Sequence, residues 1–262
     1  MDWGMKNRLN RIIKADGRTI MLAVDHGYFL GPVSRMEEPA KAITPLIPFA
    51  DSLMLTRGVL RTSIDAHKDI PIVLRVSGGN SVLDEDLSNE EITVSMKDAI
   101  RLNVCAVALS IYLGSPYEHQ TLVSLARLID EGQEYGIPVL AVTAVGKELK
   151  KRDERYLSLA SRIAAEMGVQ MVKTYYCDKF EKVVKSCPVP IVIAGGPRLK
   201  TELDALRLAY NAIDRGAVGV DMGRNIWQSS NPLGMIKAIR AIVHEKASVK
   251  KATEIFHSHK TH

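Results

Sequence analysis

The sequence predicts an α/β chain folded as a single (β/α)8 TIM barrel, and three observations predict it. Eight short apolar runs rich in β-branched residues alternate with longer amphipathic segments. Each run is continuous rather than alternating, as expected for strands of a parallel sheet buried on both faces. The repeats use nearly all of the 262 residues, and α/β barrels often use about 250 residues as one domain. The expected organisation is one domain over 1–262, with a short N-terminal extension over 1–18 and a polar C-terminal tail from about 247 to 262.

The first run, Ile20–Val24, ends in Asp25-His26-Gly27. A doubly wound sheet is the rival fold, but its dinucleotide-binding form places GxGxxG at this point. The second run, Ser52–Thr56, leads into Arg57-Gly58, and the third, Ile70–Val76, carries Arg75 and leads into Ser77-Gly78-Gly79-Asn80. Ile92, Met96 and Ile100 predict a helix over Asn89–Arg101, with Ser88 as N-cap and Glu91 completing a capping box. The fourth run is Cys105–Tyr112, followed by a helix over His119–Tyr135. Val139–Thr143 is the fifth, with a helix over Arg155–Met167. The sixth, Met171–Tyr176, contains a lysine. Ile191–Ala194 ends in Gly195-Gly196 and precedes a helix over Leu203–Ile213, and Gly216–Asp221 leads into Gly223-Arg224. Asn231-Pro232 reads as N-cap and first helical position of a last helix running to about Lys246.

Composition narrows the function classes. Hydrophobic residues make up 46% and charged residues 25%, with mean hydropathy −0.01, which excludes disordered, collagenous and coiled-coil chains. Aromatics are only 5%, so Ala, Val, Ile and Leu must fill the core. The longest uncharged stretch, Leu102–Tyr117, is 16 residues and contains Gly and Pro, against about 20 apolar residues for a membrane span. No apolar signal region follows Asp2. Cys105, Cys177 and Cys187 form neither a metal spacing nor a disulfide framework. The expectation is a cytoplasmic protein with no membrane partner and no metal. The net charge is +5 and the pI about 9.0, without the Arg-rich helices or aromatic–basic interleaving of nucleic-acid modules. No nucleic-acid partner is expected, and phosphate-bearing small molecules are the ligand class that remains.

In a (β/α)8 barrel the chemistry lies at the C-terminal ends of the strands, which gives each polar residue a positional test. Lys173 lies within Met171-Val172-Lys173-Thr174-Tyr175-Tyr176, and lysine is depleted in strands and rarely buried unpaired. A free lysine amine is only about one part in 2,500 neutral at pH 7. Burial beside apolar or cationic groups frees the amine to attack a ketone. The alternative is a lysine that snorkels to solvent from a strand end. Asp25, His26 and Tyr175 are the candidates for proton transfer. Gly195-Gly196 and Gly223-Arg224 lie where barrels build phosphate sites from the seventh and eighth loops. Arg57, Ser77, Gly78 and Tyr112 are candidate substrate contacts. The run Lys147, Lys150, Lys151, Arg152, Arg155 reads either as a polyphosphate contact or as a solvated helix face. Cys177 has no neighbouring histidine to activate it, and the histidines of the tail, His257, His259 and His262, read as solvated.

Four segments then carry a specific likeness: Asp25-His26-Gly27-Tyr28, Val172-Lys173-Thr174-Tyr175-Tyr176, Pro190 to Gly196, and Gly219-Val220-Asp221-Met222-Gly223-Arg224-Asn225-Ile226. From Asp2 to about His244 the chain resembles the DeoC/archaeal class I fructose-bisphosphate aldolase family. Asp2-Trp3-Gly4-Met5, Tyr28-Phe29, Tyr117-Glu118-His119-Gln120 and Ile226-Trp227-Gln228-Ser229 bring it nearest to the family's thiolase branch. The resemblance implies Lys173 as Schiff-base lysine and phosphate held by the Gly195-Gly196 and Gly223-Arg224 backbones. It implies acetyl transfer from a phosphorylated ketone to coenzyme A, giving acetyl-CoA and dihydroxyacetone phosphate. Coenzyme A is then a co-substrate, with no permanently bound cofactor, and the assembly is a homodecamer of two pentameric rings. The aldolases carry a general acid/base tyrosine just after the fifth strand, and this chain has Thr143-Ala144-Val145-Gly146-Lys147 there. A fructose-bisphosphate or related sugar-phosphate aldolase is the alternative, and a non-catalytic sugar-phosphate-binding barrel is the second.

Overall fold

A computed structural model describes residues 1–145 and 152–258 of the chain. Eight parallel strands close into a barrel: β1 (Thr19–Ala23), β2 (Ser52–Leu55), β3 (Ile72–Arg75), β4 (Ala106–Ile111), β5 (Val139–Thr143), β6 (Met171–Thr174), β7 (Ile191–Ala194) and β8 (Gly219–Met222). Each pairs with its sequence neighbours, and β8 closes on β1 with Thr19 opposite Gly219. A Cβ on Gly219 would overlap the Thr19 carbonyl, so this close approach requires glycine. All eight runs read from the sequence are these strands.

Strand residues alternate between two buried layers because successive side chains point to opposite faces. The inward set includes Met21, Met54, Val73, Ala106, Ala108, Leu140, Val142, Met171 and Val192. The outward set, among them Leu22, Leu53, Leu74, Val107, Ala141, Val172 and Ile193, packs under the helices. Ile12, at the end of the N-terminal helix Trp3–Ile12, joins the inward set and stoppers the N-terminal end of the barrel. Lys173 lies two residues beyond Met171 and so faces inward, one layer nearer the C-terminal end.

Helices Glu118–Tyr135, Glu154–Met167, Glu202–Asp214 and Pro232–Glu245 lie where the apolar periodicity predicts them, within a residue or two at each end. The Asn231 side chain caps the last of these by accepting from the Gly234 amide, with Pro232 at its start. Two expectations are corrected. Asn89–Arg101 is not one helix: Glu91–Ile92 pairs antiparallel with Ser77–Gly78, and the helix spans only Met96–Arg101, capped by Ser95 rather than Ser88. The segment after 247 is not simply a polar tail. Val249–Ser258 is an amphipathic helix that buries Ala252 and Phe256 against the helix Pro232–Glu245. Asn231 Nδ2 donates to the Phe256 carbonyl at 3.0 Å, fastening it. His259 and His262 lie outside the described residues. Among the described residues no helix is long and apolar enough to cross a membrane.

Candidate active site

A cavity of about 250 Å³ opens at the C-terminal end of the barrel. Lys173 stands at its floor, only 7% exposed, with Nζ 2.8 Å from Asp221 Oδ2 and 3.5 Å from Met54 Sδ. Asp221 comes from β8, and its burial pushes its carboxyl up to about 6 despite the Lys173 charge beside it. Asp25, just past β1, is buried as well, yet Arg75, Lys173 and His26 more than offset that burial and hold it at about 2. Arg75 Nε donates to Asp25 Oδ2 at 3.0 Å, and its Nη1 donates to Ser110 Oγ at 2.7 Å. Two acids in one cavity are thereby driven in opposite directions. Such splitting marks sites that must both hold and move protons.

His26 follows Asp25 and packs edge-on against Trp227, ring centroids 5.7 Å apart. Its Nδ1 is 3.8 Å from Asp25 Oδ1 and has no hydrogen-bond partner among the described residues. Burial, with the charges of Arg224, Lys173 and Arg75 outweighing that of Asp25, lowers His26 to about 4. It is therefore a neutral imidazole at pH 7.

Across β7 and β8 the floor forms a cradle of glycine turns and arginines. Gly195, Gly196, Gly223 and Arg224 line it together with Arg152. The Nε atoms of Arg152 and Arg224 are both buried without a hydrogen-bond partner among the described residues, which leaves donor capacity on both guanidinium groups. A Cβ on Gly223 would overlap the Ala23 carbonyl oxygen and come within 2.6 Å of His26 Cε1. Asn225 ties the two loops together: its Nδ2 donates to the Gly195 carbonyl at 2.8 Å, and its Oδ1 accepts from the Leu199 amide at 2.8 Å.

The structure gathers most of the predicted residues. Lys173, Asp25, His26, Tyr175, Tyr112, Gly195, Gly196, Gly223 and Arg224 all line the cavity. The Tyr175 ring lies under the Arg152 guanidinium, 3.8 Å from Cζ to ring centroid, which makes it a platform for the cradle. Ser77 sits just behind the wall, 2% exposed, and Gly78 lies under Tyr28, where a Cβ would meet the ring at 3.2 Å. Arg57 is not brought to the cavity: it opens the helix after β2 and pairs with Asp98, 3.3 Å away, alongside Arg61 and Arg101. The helix carries its side chain away from the mouth toward that acid. Cys177 is raised by burial to about 11 and is a thiol, not a thiolate. Of the basic run, Lys147, Lys150 and Lys151 lie outside the described residues, as does Gly146. Arg152, which the sequence offered as a polyphosphate contact or a solvated residue, lines the cavity, and so do Arg75, Glu90 and Asp221, which were not singled out as site residues. Arg75 and Asp221 carried a signal, a charge at a strand end; Glu90 carried none.

Residues 19–229 match the DeoC/LacD family aldolase. The chain belongs to the DeoC/LacD aldolase family. Within it, the chain is 55% identical to the 3-hydroxy-5-phosphonooxypentane-2,4-dione thiolase of Photorhabdus laumondii subsp. laumondii, over 99% of this chain and 89% of that one. It is 56% identical to the protein of the same name from Enterobacter sp. (strain 638), over 99% and 88%. Among solved structures, an archaeal fructose 1,6-bisphosphate aldolase superposes with a TM-score of 0.83 at 27% identity, covering 92% of this chain and all but 1% of that one. Another, with its catalytic lysine covalently bound to the carbinolamine intermediate of the substrate, gives 0.82 at 29% identity, over 91% and 99%. The chain thus shares its barrel with these class I aldolases and carries a lysine, Lys173, inside it.

Proposed function

We propose that the protein is a Schiff-base thiolase that transfers the acetyl group of 3-hydroxy-5-phosphonooxypentane-2,4-dione to coenzyme A, giving acetyl-CoA and dihydroxyacetone phosphate. The observation that carries the chemistry is the inward-facing Lys173, with Nζ 2.8 Å from the Asp221 carboxylate at the foot of the anion cradle. Phosphate in the cradle sets the adjoining ketone over Lys173. The amine adds to that carbonyl, and loss of water leaves an iminium. Asp221, raised toward neutrality, is the acceptor for the lysine's proton. The coenzyme A thiolate adds to the acetyl carbonyl, the C–C bond breaks, and its electron pair passes into the iminium to form the enamine of dihydroxyacetone phosphate. Protonation of the enamine carbon and hydrolysis release the product. Neutral His26 takes the thiol proton in this scheme, and ionised Asp25 holds the cationic centre beside it.

Arg152 borders the mouth and supports a contact with the coenzyme A phosphates. The exposed Trp3 (79%) and Leu83 (92%) offer apolar surface for subunit contact. With the family resemblance, this supports a homodecamer, and a cytoplasmic location goes with that reading. The second reading, a fructose-bisphosphate aldolase, is favoured by the solved relatives. Against it stands the end of β5, where Thr143 Oγ1 donates to Thr174 Oγ1 at 2.7 Å and Ala144 lines the cavity. Neither supplies the acid that the tyrosine gives an aldolase. A Lys173 on the outer face of the barrel would favour the non-catalytic reading, and it lies inside. The deciding assay compares acetyl-CoA formation from the phosphorylated dione with cleavage of fructose 1,6-bisphosphate by one preparation. Coenzyme A-dependent acetyl-CoA formation is expected; cleavage of the bisphosphate without coenzyme A would overturn the proposal.

A further inference from the structure

Opposite the anion cradle the cavity wall has another chemistry. In an eight-stranded barrel β3 and β4 lie diametrically across from β7 and β8, as the closed strand order requires. A ketone whose phosphate sits in the β7/β8 cradle therefore extends toward β3 and β4. There Glu90 lines the cavity, 1% exposed. Its Oε1 accepts from the Tyr28 hydroxyl at 2.6 Å and from the Tyr112 hydroxyl at 2.9 Å, and its Oε2 accepts from Ser77 Oγ at 2.6 Å. Three hydroxyls donate to one carboxylate, so the hydrogens of Tyr28, Tyr112 and Ser77 are already committed.

The cation nearest this wall is committed too. Arg75 binds Asp25 and Ser110, and its guanidinium lies over the Tyr28 ring, 5.1 Å from the centroid. What else faces the cavity here is uncharged: the Tyr28 and Phe29 rings in edge contact at 4.9 Å, Leu87, Ser110, and the Asn80 amide, whose Nδ2 donates to the Leu87 carbonyl at 2.6 Å. Such a wall suits a short uncharged acyl group. It meets a second phosphate with a buried carboxylate and no unengaged cation among the described residues, and like charges juxtaposed out of water reject a ligand strongly.

We infer that Glu90 is the specificity-determining residue for the distal end of the substrate: held by Tyr28, Tyr112 and Ser77, it restricts the site to ketones bearing a single phosphate and an uncharged distal end. The inference rests on the Schiff-base reading above and adds to it the chemical class that the far wall admits. It also accounts for the sequence pattern here. Ser77 is needed as a donor, and the absence of a side chain on Gly78 leaves room for the Tyr28 ring.

The test uses the full chain and borohydride, which delivers hydride to an iminium and leaves a stable secondary amine on the lysine. Dihydroxyacetone phosphate and fructose 1,6-bisphosphate are the probes, and intact mass gives the labelling rate for each. The wild-type protein is expected to favour the monophosphate by at least tenfold. In Glu90→Gln, which removes the charge at nearly constant shape, that preference is expected to fall by about tenfold. Tyr28→Phe keeps the carboxylate and is expected to keep most of the preference, which separates loss of charge from general loosening of the wall. Equal preference in wild type and Glu90→Gln, with both labelled by the monophosphate, would overturn the inference and leave the Schiff-base reading standing. No labelling of the wild type by either probe would overturn the Schiff-base reading itself.

Discussion

Two histidines lie beside buried aspartates at opposite ends of this barrel, and their surroundings drive them apart. At the N-terminal end His244 bridges two acids: its Nδ1 is 2.7 Å from Asp16 Oδ2 and its Nε2 is 2.7 Å from Asp51 Oδ2. The hydrogen bond to Asp51 raises its pKa against the effect of burial. Asp51 also accepts from the Ile20 amide at 2.7 Å and from Arg240 at 3.2 Å, so this acid ties the start of β1 to the last helix of the barrel. At the C-terminal end His26 Nδ1 has no hydrogen-bond partner among the described residues, and His26 is lowered to about 4. The same residue types form a saturated clamp below and an unsaturated, neutral group above. A polar network with every bond made fixes structure. Buried polar atoms left unpaired cost stability, and those found among the described residues on His26, Arg152 and Arg224 are what a ligand would repay.

The comparison breaks most easily at Lys173. Lys173→Ala is expected to lower turnover by roughly 10⁵- to 10⁶-fold, the scale on which loss of a covalent nucleophile acts. It should leave the fold intact, because Asp221 can then take a proton. Steady-state acetyl-CoA formation checks the first statement, and a urea melt checks the second. Next in size is Arg75→Met, which takes from buried Asp25 the cation hydrogen-bonded to it and is expected to cost about 3–5 kcal/mol of stability. A urea midpoint unchanged from wild type would mean that the mouth is wetter than its burial implies.

The lower end is sharpened by pH. Because His244 binds its proton more tightly folded than unfolded, its contribution is complete below about pH 6.5 and is lost as pH rises through the higher folded value. His244→Gln should therefore lose about 2 kcal/mol at pH 6, the scale of hydrogen bonds to charged partners, and clearly less at pH 9. A gap independent of pH would count against the clamp.

The smallest effect separates the mouth residues from each other. His26 charges near 4 in the fold against about 6.5 unfolded, so its neutral form adds stability above about 6.5 that is lost as pH falls toward 4. Asp221 runs the other way: charging only near 6 in the fold, it makes stability fall as pH rises from about 4 to 6. The two slopes oppose each other in the wild type. His26→Gln should expose the Asp221 slope, and Asp221→Asn should expose that of His26. Parallel stability profiles over pH 4–6.5 in the two variants would refute the assignment.

The sequence made the barrel legible because its strands are buried on both faces and so read as unbroken apolar runs. Lys173 stood out for breaking one of them. The partners of Lys173 and Asp25 were less visible. Asp221 and Arg75 reach them only after the barrel closes, since β6 and β8 are not neighbours and Asp25 meets Arg75 across 50 positions of sequence. Glu90 was hidden by local pattern: Ile92, Met96 and Ile100 fit a helical face, whereas Glu91–Ile92 pairs with Ser77–Gly78 and turns Glu90 into the cavity wall. The helix Val249–Ser258 was masked by its two lysines and one histidine, although Val249, Ala252 and Phe256 already had helical spacing.

The most direct test of the central claim locates the reactive amine. The protein is incubated with dihydroxyacetone phosphate and borohydride, digested and mapped by mass spectrometry. The account predicts one modified peptide, carrying the reduced adduct on Lys173. An unmodified Lys173 peptide, or the adduct on any other lysine, would contradict it.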